Sequence, residues 1–251
     1  FQKLVHSRTV RAMIARWIGW GLGLIGLAAP ALAETTLRVA AASNLHVVAE
    51  PIERAFERDH PDINLAFSHG ASGNLVAQIR QGAPFDVLLS ADLSYPKALI
   101  ETGHANAPSL MVFAYGQLVL WPWSGAGEWQ QALLSPSVQR IAIAQPDTAP
   151  FGIAAREFLR GQGIWESVES KIIVGENVAQ ALHFAASGNT DYAFVAASLL
   201  VGRPDLGKGW VIPGMDDVLA HGAVTIKGRR HEALAQQFLA WLSSETAREL
   251  L

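Results

Sequence analysis

The chain has 251 residues, with 19 Lys and Arg against 22 Asp and Glu, a formal net charge of −3 and no cysteine. The lack of cysteine excludes disulfides, thiolate metal sites and cysteine nucleophiles. The slightly acidic balance disfavours nucleic acid or an anionic membrane as a partner. The length is sufficient for one or two compact units that stand on a hydrophobic core alone.

Residues 1–33 are predicted to be a secretory signal peptide. Four basic residues come first, at Lys3, Arg8, Arg11 and Arg16. An uncharged stretch follows from Trp17 and ends in Ala31-Leu32-Ala33, the small-residue pattern of a cleavage site. A membrane anchor is the alternative, but a spanning helix needs about 20 apolar residues, and this shorter stretch is interrupted by Pro30. Residues 34–251 are therefore expected in the periplasm.

After the signal peptide, β-rich runs alternate with amphipathic runs. The predicted strands are residues 37–41, 63–67, 87–89, 110–120, 140–144, 172–174, 192–195, 210–212 and 223–226. The predicted helices are residues 45–58, 75–81, 96–101, 130–134, 153–160, 179–186 and 231–251. This alternation is typical of parallel βαβ units, so the sequence predicts an α/β protein.

Two such series indicate two lobes, each a mostly parallel sheet flanked by helices. Lobe one is predicted to span residues 34–113, and residues 221–251 are predicted to return to it. Residues 114–220 are predicted to form lobe two. We expect the chain to cross between the lobes within Leu110–Leu120 and Met215–Ile226.

Four junctions between a strand and a helix carry small or polar residues. They are residues 42–44, 70–74, 150–152 and 176–178. A helix N-terminus presents unpaired N–H groups and a partial positive charge, which suit an anion. In open α/β sheets, ligands bind beyond the carboxyl ends of the strands, where these junctions fall. Ser and Asn at a helix start are also ordinary N-caps, so the pattern by itself leaves both interpretations open.

Short motifs at these junctions are more specific. The most distinctive are Gly70–Leu75 and the Gly-Ala-Pro-Phe-Asp-Val run at Gly82–Val87. Weaker ones are Ala40–Asn44, Ser90–Asp92, Asp147–Gly152 and Gly175–Val178. In these motifs the chain resembles the molybdate-binding periplasmic proteins of ABC transporters, from about residue 36 to the C-terminus. The resemblance implies a two-lobed type II periplasmic binding protein with its ligand in the cleft between the lobes.

The resemblance also implies how the ligand is held. That family binds its oxyanion with hydroxyls and backbone N–H groups instead of cationic side chains. The matching positions are the hydroxyls of Ser43 and Ser72 and the backbone amides of Phe151 and Val178. Fixed donors suit a fully deprotonated dianion better than a protonated phosphate, whose own O–H would find no acceptor.

One position departs from the family pattern. Some relatives supply a tyrosine hydroxyl after the strand that matches Tyr192–Val195, where this sequence has Ala196. Additional contacts are therefore expected from Asn44, from the amide of Ala196 or Ala197, or from the hydroxyl of Ser198.

The function implied is that of a monomeric, non-enzymatic carrier. Molybdate or tungstate is the expected ligand, a permease in the inner membrane is the expected partner, and no cofactor and no metal beyond the oxyanion are expected. Another oxyanion such as sulfate is the main alternative ligand.

A serine-dependent hydrolase is a remote alternative. Ser72 lies in a Gly-x-Ser sequence, but Asn74 stands where a nucleophile elbow has glycine. His46 and His69 are expected to be surface or capping residues.

Overall fold

A computed structural model describes residues 35–123 and 127–251. The predicted signal peptide, residues 1–33, lies outside the described residues. Within the described ranges, no helix combines the length and the apolar composition needed to cross a bilayer.

Five strands form the first sheet, in the order β2-β1-β3-β10-β4. They are β1 (Thr35–Ala42), β2 (Ile63–Gly70), β3 (Val87–Ser90), β4 (Met111–Tyr115) and β10 (Ala220–Thr225). β1 pairs in parallel with β2 and β3, whereas β10 pairs antiparallel with β3 and β4. The carboxyl ends of β1, β2 and β3 therefore meet at one edge of the sheet.

The second sheet repeats this arrangement in the order β7-β6-β8-β5-β9. Its strands are β5 (Leu118–Trp121), β6 (Ile141–Ala144), β7 (Ile172–Gly175), β8 (Tyr192–Ala196) and β9 (Trp210–Val211). β6 pairs in parallel with β7 and β8, and β5 pairs antiparallel with β8 and β9. In each sheet, three neighbouring strands thus pair in parallel, and the remaining two pair antiparallel on one side of them.

Helices flank both sheets, and we call each sheet with its helices a lobe. Lobe one carries α1 (His46–Asp59), α2 (Ser72–Arg80), α3 (Ser94–Glu101), α8 (Glu232–Leu242) and α9 (Glu245–Leu250). Lobe two carries α4 (Trp129–Leu134), α5 (Pro150–Gly161), α6 (Trp165–Val168) and α7 (Val178–Ala186). The helices pack through apolar faces at helical spacing; α1, for example, buries Ala49, Ile52 and Phe56. The predicted two-lobed α/β architecture is confirmed, with sheets that are mixed.

Two predicted elements are wrong in their continuity. The strand predicted over residues 110–120 is two strands, because β4 and β5 belong to different sheets and Gly116 lies between them. The closing helix predicted over residues 231–251 is α8 and α9. The Ser244 hydroxyl accepts the N–H of Ala247 at 3.2 Å and starts the second helix with a new cap.

The chain passes between the two sheets after β4 and again before β10. These two crossings lie side by side, since the N–H of Gly116 donates to the carbonyl of Leu219 at 2.9 Å. β4 extends to Tyr115 and β10 begins at Ala220. The lobe limits at residues 113 and 220 stay a prediction.

The start of α5 lies very close to the end of β6 because residue 152 is glycine. A Cβ on Gly152 would collide with the backbone carbonyl of Ala144. We expect Gly152→Ala to lower the free energy of unfolding by about 1–3 kcal/mol, because backbone must move to relieve the overlap. Urea unfolding followed by circular dichroism measures this.

The matched control is Gly161→Ala at the other end of the same helix. A Cβ there meets nothing within 4 Å. Its expected effect lies between no change and a gain of about 1 kcal/mol, because alanine is the better helix former. An equal loss in both variants would contradict the close approach of α5 to β6.

Candidate functional site

The four junctions meet at one small cavity between the lobes. Its lining residues are Ala42, Ser43, Asn44, Gly70, Ala71, Ser72, Ala91, Ala149, Pro150, Phe151 and Val178. The first seven lie at or just after the ends of β1, β2 and β3, and the last four lie at the starts of α5 and α7. The volume open to the centre of a water-sized sphere is only about 10 Å³. Sites for organic ligands usually hold about 300–1,000 Å³, so this one suits a small ion.

The predicted contact residues are brought together here, with three exceptions. One is Ala197, whose N–H donates to the carbonyl of Gln117 at 3.0 Å. Ser43, Ser72, Phe151 and Val178 all line the cavity, as does Asn44. Ala196 and Ser198 are not among the lining residues. Ala196 is buried in the ladder between β8 and β5, opposite Leu118. The Ser198 hydroxyl instead donates to the backbone carbonyl of Asn44 at 2.9 Å.

The two serine hydroxyls differ in their partners. The Ser72 hydroxyl accepts the N–H of Ala91 at 3.2 Å, so its own proton stays available to a ligand. The Ser43 hydroxyl has no protein partner among the described residues, although the residue is only 6% exposed. Both hydroxyls can therefore donate to an anion.

Lobe two offers backbone donors. Phe151 and Val178 stand within the first two residues of α5 and α7, where N–H groups have no partner inside the helix. The Asn177 side chain accepts the N–H groups of Ala179 and Gln180, each at 3.1 Å, and leaves that of Val178 uncapped. Over the described ranges, neither the Phe151 nor the Val178 N–H has an acceptor. Two helix N-termini thus direct free donors at the cavity.

The site is electrically neutral apart from these dipoles. None of its eleven lining residues has a charged side chain. The carboxylates next to it in sequence are engaged elsewhere: Asp92 accepts the Ser94 hydroxyl at 2.6 Å, and Asp147 pairs with Arg156 at 3.1 Å. An anion would be held by hydrogen-bond geometry and helix dipoles, with no counter-charge.

Direct hydrogen bonds join the lobes on both sides of the cavity. On one side, the N–H of Gly73 in lobe one donates to the carbonyl of Thr148 in lobe two at 2.8 Å. On the other side lies the bond from Ser198 to Asn44. The structure therefore represents a closed arrangement of the cleft.

A buried histidine behind the cavity was missed by the sequence analysis. The Nε2 atom of His221 lies 2.7 Å from Nδ2 of Asn44, and its Nδ1 lies 2.7 Å from the carbonyl of Leu219. Burial lowers the pKa of His221 to about 4, against the opposing effect of the Leu219 carbonyl. No local sequence signal marks this residue, because its partner Asn44 is 177 positions away.

Comparisons of the sequence and of the fold with known proteins all find bacterial solute-binding proteins. Residues 37–251 match the model of the bacterial extracellular solute-binding protein family. The molybdate-binding protein ModA of Rhodobacter capsulatus is 37% identical over 231 residues, which cover 91% of this chain and 90% of that protein. ModA of Azotobacter vinelandii is 35% identical over 242 residues, or 93% of each chain. The solved periplasmic molybdate-binding protein of A. vinelandii aligns with a TM-score of 0.78 at 29% identity, covering 85% of this chain and 95% of that one.

Burial of neutral His221 makes stability depend on pH. The unfolded chain takes up a proton near the ordinary pKa of 6.5, whereas the folded protein does so only near 4. The contribution of neutral His221 to the free energy of unfolding is complete above pH 6.5 and is lost as the pH falls toward 4. We expect His221 to account for a drop of about 2 kcal/mol in the free energy of unfolding between pH 7.5 and 5.

Urea unfolding at both pH values measures the drop, and His221→Asn should make it smaller by that amount. His183→Asn, at an exposed position, is the control and should leave the drop unchanged. A drop of the same size in His221→Asn and in the unsubstituted protein would contradict the buried neutral state.

Proposed function

This chain belongs to the bacterial extracellular solute-binding protein family, and we propose that it captures molybdate or tungstate in the cavity between its lobes. It acts in the periplasm as a monomer and delivers the anion to a permease of an ABC importer in the inner membrane. The molybdate-binding relatives, similar over nine-tenths of the chain, support this ligand class.

The observation that carries the proposal is the donor set of the cavity. Hydroxyls of Ser43 and Ser72 and free N–H groups of Phe151 and Val178 come from both lobes and surround one small space. A tetrahedral dianion has oxygens in four directions and can accept from all four donors at once. Hydrogen bonds to a charged acceptor are about twice as strong as neutral ones, so a neutral protein site can hold it.

Binding would couple to closure of the cleft. Donors from lobe one and lobe two lie too far apart in an open cleft to reach the same ion, so the anion favours the closed arrangement. The Gly73–Thr148 bond then forms beside the ligand and completes the closed surface. A permease that recognises this surface would distinguish the loaded carrier from the empty one.

Sulfate is the competing ligand, because it has the same shape and charge in a smaller ion. The donors of the cavity lie at the starts of α2, α5 and α7 and in the turn after β1, so their spacing is fixed by both sheets. Donors with fixed spacing bind best the ion whose oxygens reach all of them at hydrogen-bond distance. Cavity size is therefore the expected basis of selection.

A hydrolase function lacks support from the surroundings of Ser72. Its hydroxyl bonds to the Ala91 amide, and within the described ranges no histidine or carboxylate contacts it. His46 and His69 instead pack against each other, with ring centroids 5.0 Å apart. A nucleophilic serine needs an adjacent general base.

Calorimetric titration of the purified protein with molybdate, tungstate, sulfate and phosphate at equal ionic strength tests the proposal. We expect one-to-one binding of the first two anions and at least 100-fold weaker binding of the last two, which is about 2.7 kcal/mol. Equal affinity for sulfate would make the protein a general oxyanion carrier. No binding of any of the four would overturn the proposed function.

Ser43→Ala gives the cleanest test of a single donor. Its hydroxyl has no protein partner among the described residues, so its removal should leave the free energy of unfolding unchanged. Affinity for molybdate should fall by about 1–3 kcal/mol, roughly 5- to 150-fold, because one ligand oxygen loses its donor. Ser167→Ala, at an exposed position of lobe two, is the matched control. An unchanged affinity for Ser43→Ala would remove this residue from the site.

Ser72→Ala should behave differently from Ser43→Ala. The affinity for molybdate should again fall by about 1–3 kcal/mol. The protein should also unfold more easily, by about 1 kcal/mol or more, since the Ala91 N–H loses its acceptor. Calorimetry and urea unfolding of the same preparation separate the two effects, and a purely structural serine would change only the second.

A further inference from the structure

We propose that His221 is a positioning residue of the anion cavity: it fixes the Asn44 side chain and thereby holds the turn that carries the Ser43 hydroxyl. The inference rests on the proposed function and adds to it a residue outside the cavity lining. His221 stands on β10, where the chain has just returned to lobe one. It connects the inter-lobe crossing to the binding turn.

The hydrogen-bond partners define the state of the ring. A backbone carbonyl can only accept a hydrogen bond. Nδ1 of His221 must therefore be protonated and donate to the carbonyl of Leu219. In a neutral ring Nε2 is then an acceptor, and it receives an amide hydrogen from Nδ2 of Asn44 at 2.7 Å. This one arrangement satisfies both ring nitrogens.

The ring is held tightly where it lies. His221 is 2% exposed, and its ring meets those of Phe113 and Phe151 edge-on at 5.8 and 6.2 Å between centroids. A Cβ on Gly116 would lie 2.5 Å from its Cε1 atom, so the first crossing packs directly against the ring. No acidic or basic side chain is among these neighbours, and burial keeps the imidazole neutral at ordinary pH by lowering its pKa.

Asn44 depends on this single side-chain contact. It is 2% exposed, and its Oδ1 atom is buried without a hydrogen-bond partner in the described part of the chain. Removing the acceptor on His221 would leave the whole amide buried and unpaired, which the turn can relieve only by moving. Because Ser43 precedes Asn44 in the 3₁₀ turn Ser43–Leu45, that movement displaces a ligand donor.

The same residue also joins the lobes. The backbone carbonyl of Asn44 accepts the Ser198 hydroxyl of lobe two at 2.9 Å. A turn that is free to move weakens this bond together with the position of Ser43. Loss of the His221 acceptor should therefore speed anion release as well as weaken binding.

Two substitutions separate the two ring nitrogens. His221→Gln can offer Oε1 near the position of Nε2 and keep an acceptor for Asn44, whereas His221→Asn can donate to Leu219 but does not reach Asn44. We expect His221→Asn to weaken molybdate binding about tenfold or more and to speed its release. His221→Gln should stay within about threefold of the unsubstituted protein. Calorimetry and stopped-flow release at 20 °C measure both.

The control for a merely structural role is Thr225→Val on the same strand. Thr225 is fully buried, and its hydroxyl bonds with Asn106 and Ser109 at 3.0 and 3.1 Å, away from the cavity. Thr225→Val should lower the melting temperature without changing the affinity for molybdate. A double substitution of Asn44→Ala with His221→Asn should bind no more weakly than Asn44→Ala alone, because His221 acts through Asn44.

The outcomes are distinct. Equal affinity of His221→Asn and the unsubstituted protein overturns the positioning role, as does an additive loss in the double variant. An affinity loss in His221→Gln as large as in His221→Asn also overturns it. If the unsubstituted protein binds no oxyanion, the proposed function itself fails, which calorimetry of that protein alone reveals.

Discussion

The structure depends on one constraint: an anion enclosed without a positive side chain must be met by dipoles that are already in place. Fixed N–H and O–H donors need no reorganisation when the ligand arrives, but each must be held at the right distance by its own element. Helix starts that follow parallel strands provide such positions, since the strand fixes the junction and the helix leaves its first N–H groups unpaired. The architecture of two similar sheets brings two sets of these junctions face to face.

Closure and selectivity follow from the same arrangement. Because the proposed donors are divided between the lobes, they surround one space only when the cleft is closed, and the Gly73–Thr148 bond shows how closely the lobe edges then approach. A Cβ on Gly73 would lie 2.9 Å from that carbonyl, so glycine is needed for the approach. Alanine, serine and glycine make up most of the cavity lining, so few flexible side chains can adjust to the ligand, and a rigid small cavity discriminates ions by size.

Much of the site was predictable from local sequence. The junction at residues 70–74 and the Gly-Ala-Pro-Phe-Asp-Val run at 82–87 carried the family resemblance, which the comparisons confirm. Helix and strand periodicity gave the α/β class, and the four predicted contact residues line one cavity. Local pattern failed where partners are distant. The strand predicted over residues 110–120 reads as continuous because nothing local indicates that its halves join different sheets. Ser198 was one of several candidates for an additional contact, and only the tertiary structure shows that its hydroxyl bonds to Asn44.

The sequence by itself determined the alternation of strands and helices, the polar junctions and the absence of cationic residues from them, since all of these depend on neighbours a few residues apart. Only the tertiary structure decided which junctions share a cavity and which hydroxyls remain free. Only it brought His221 within 2.7 Å of a residue 177 positions earlier. The physical reason is that these contacts are set by the pairing of β10 with β3 and β4 and by the two crossings between sheets. Long-range pairing of this kind leaves no trace in the local residue pattern.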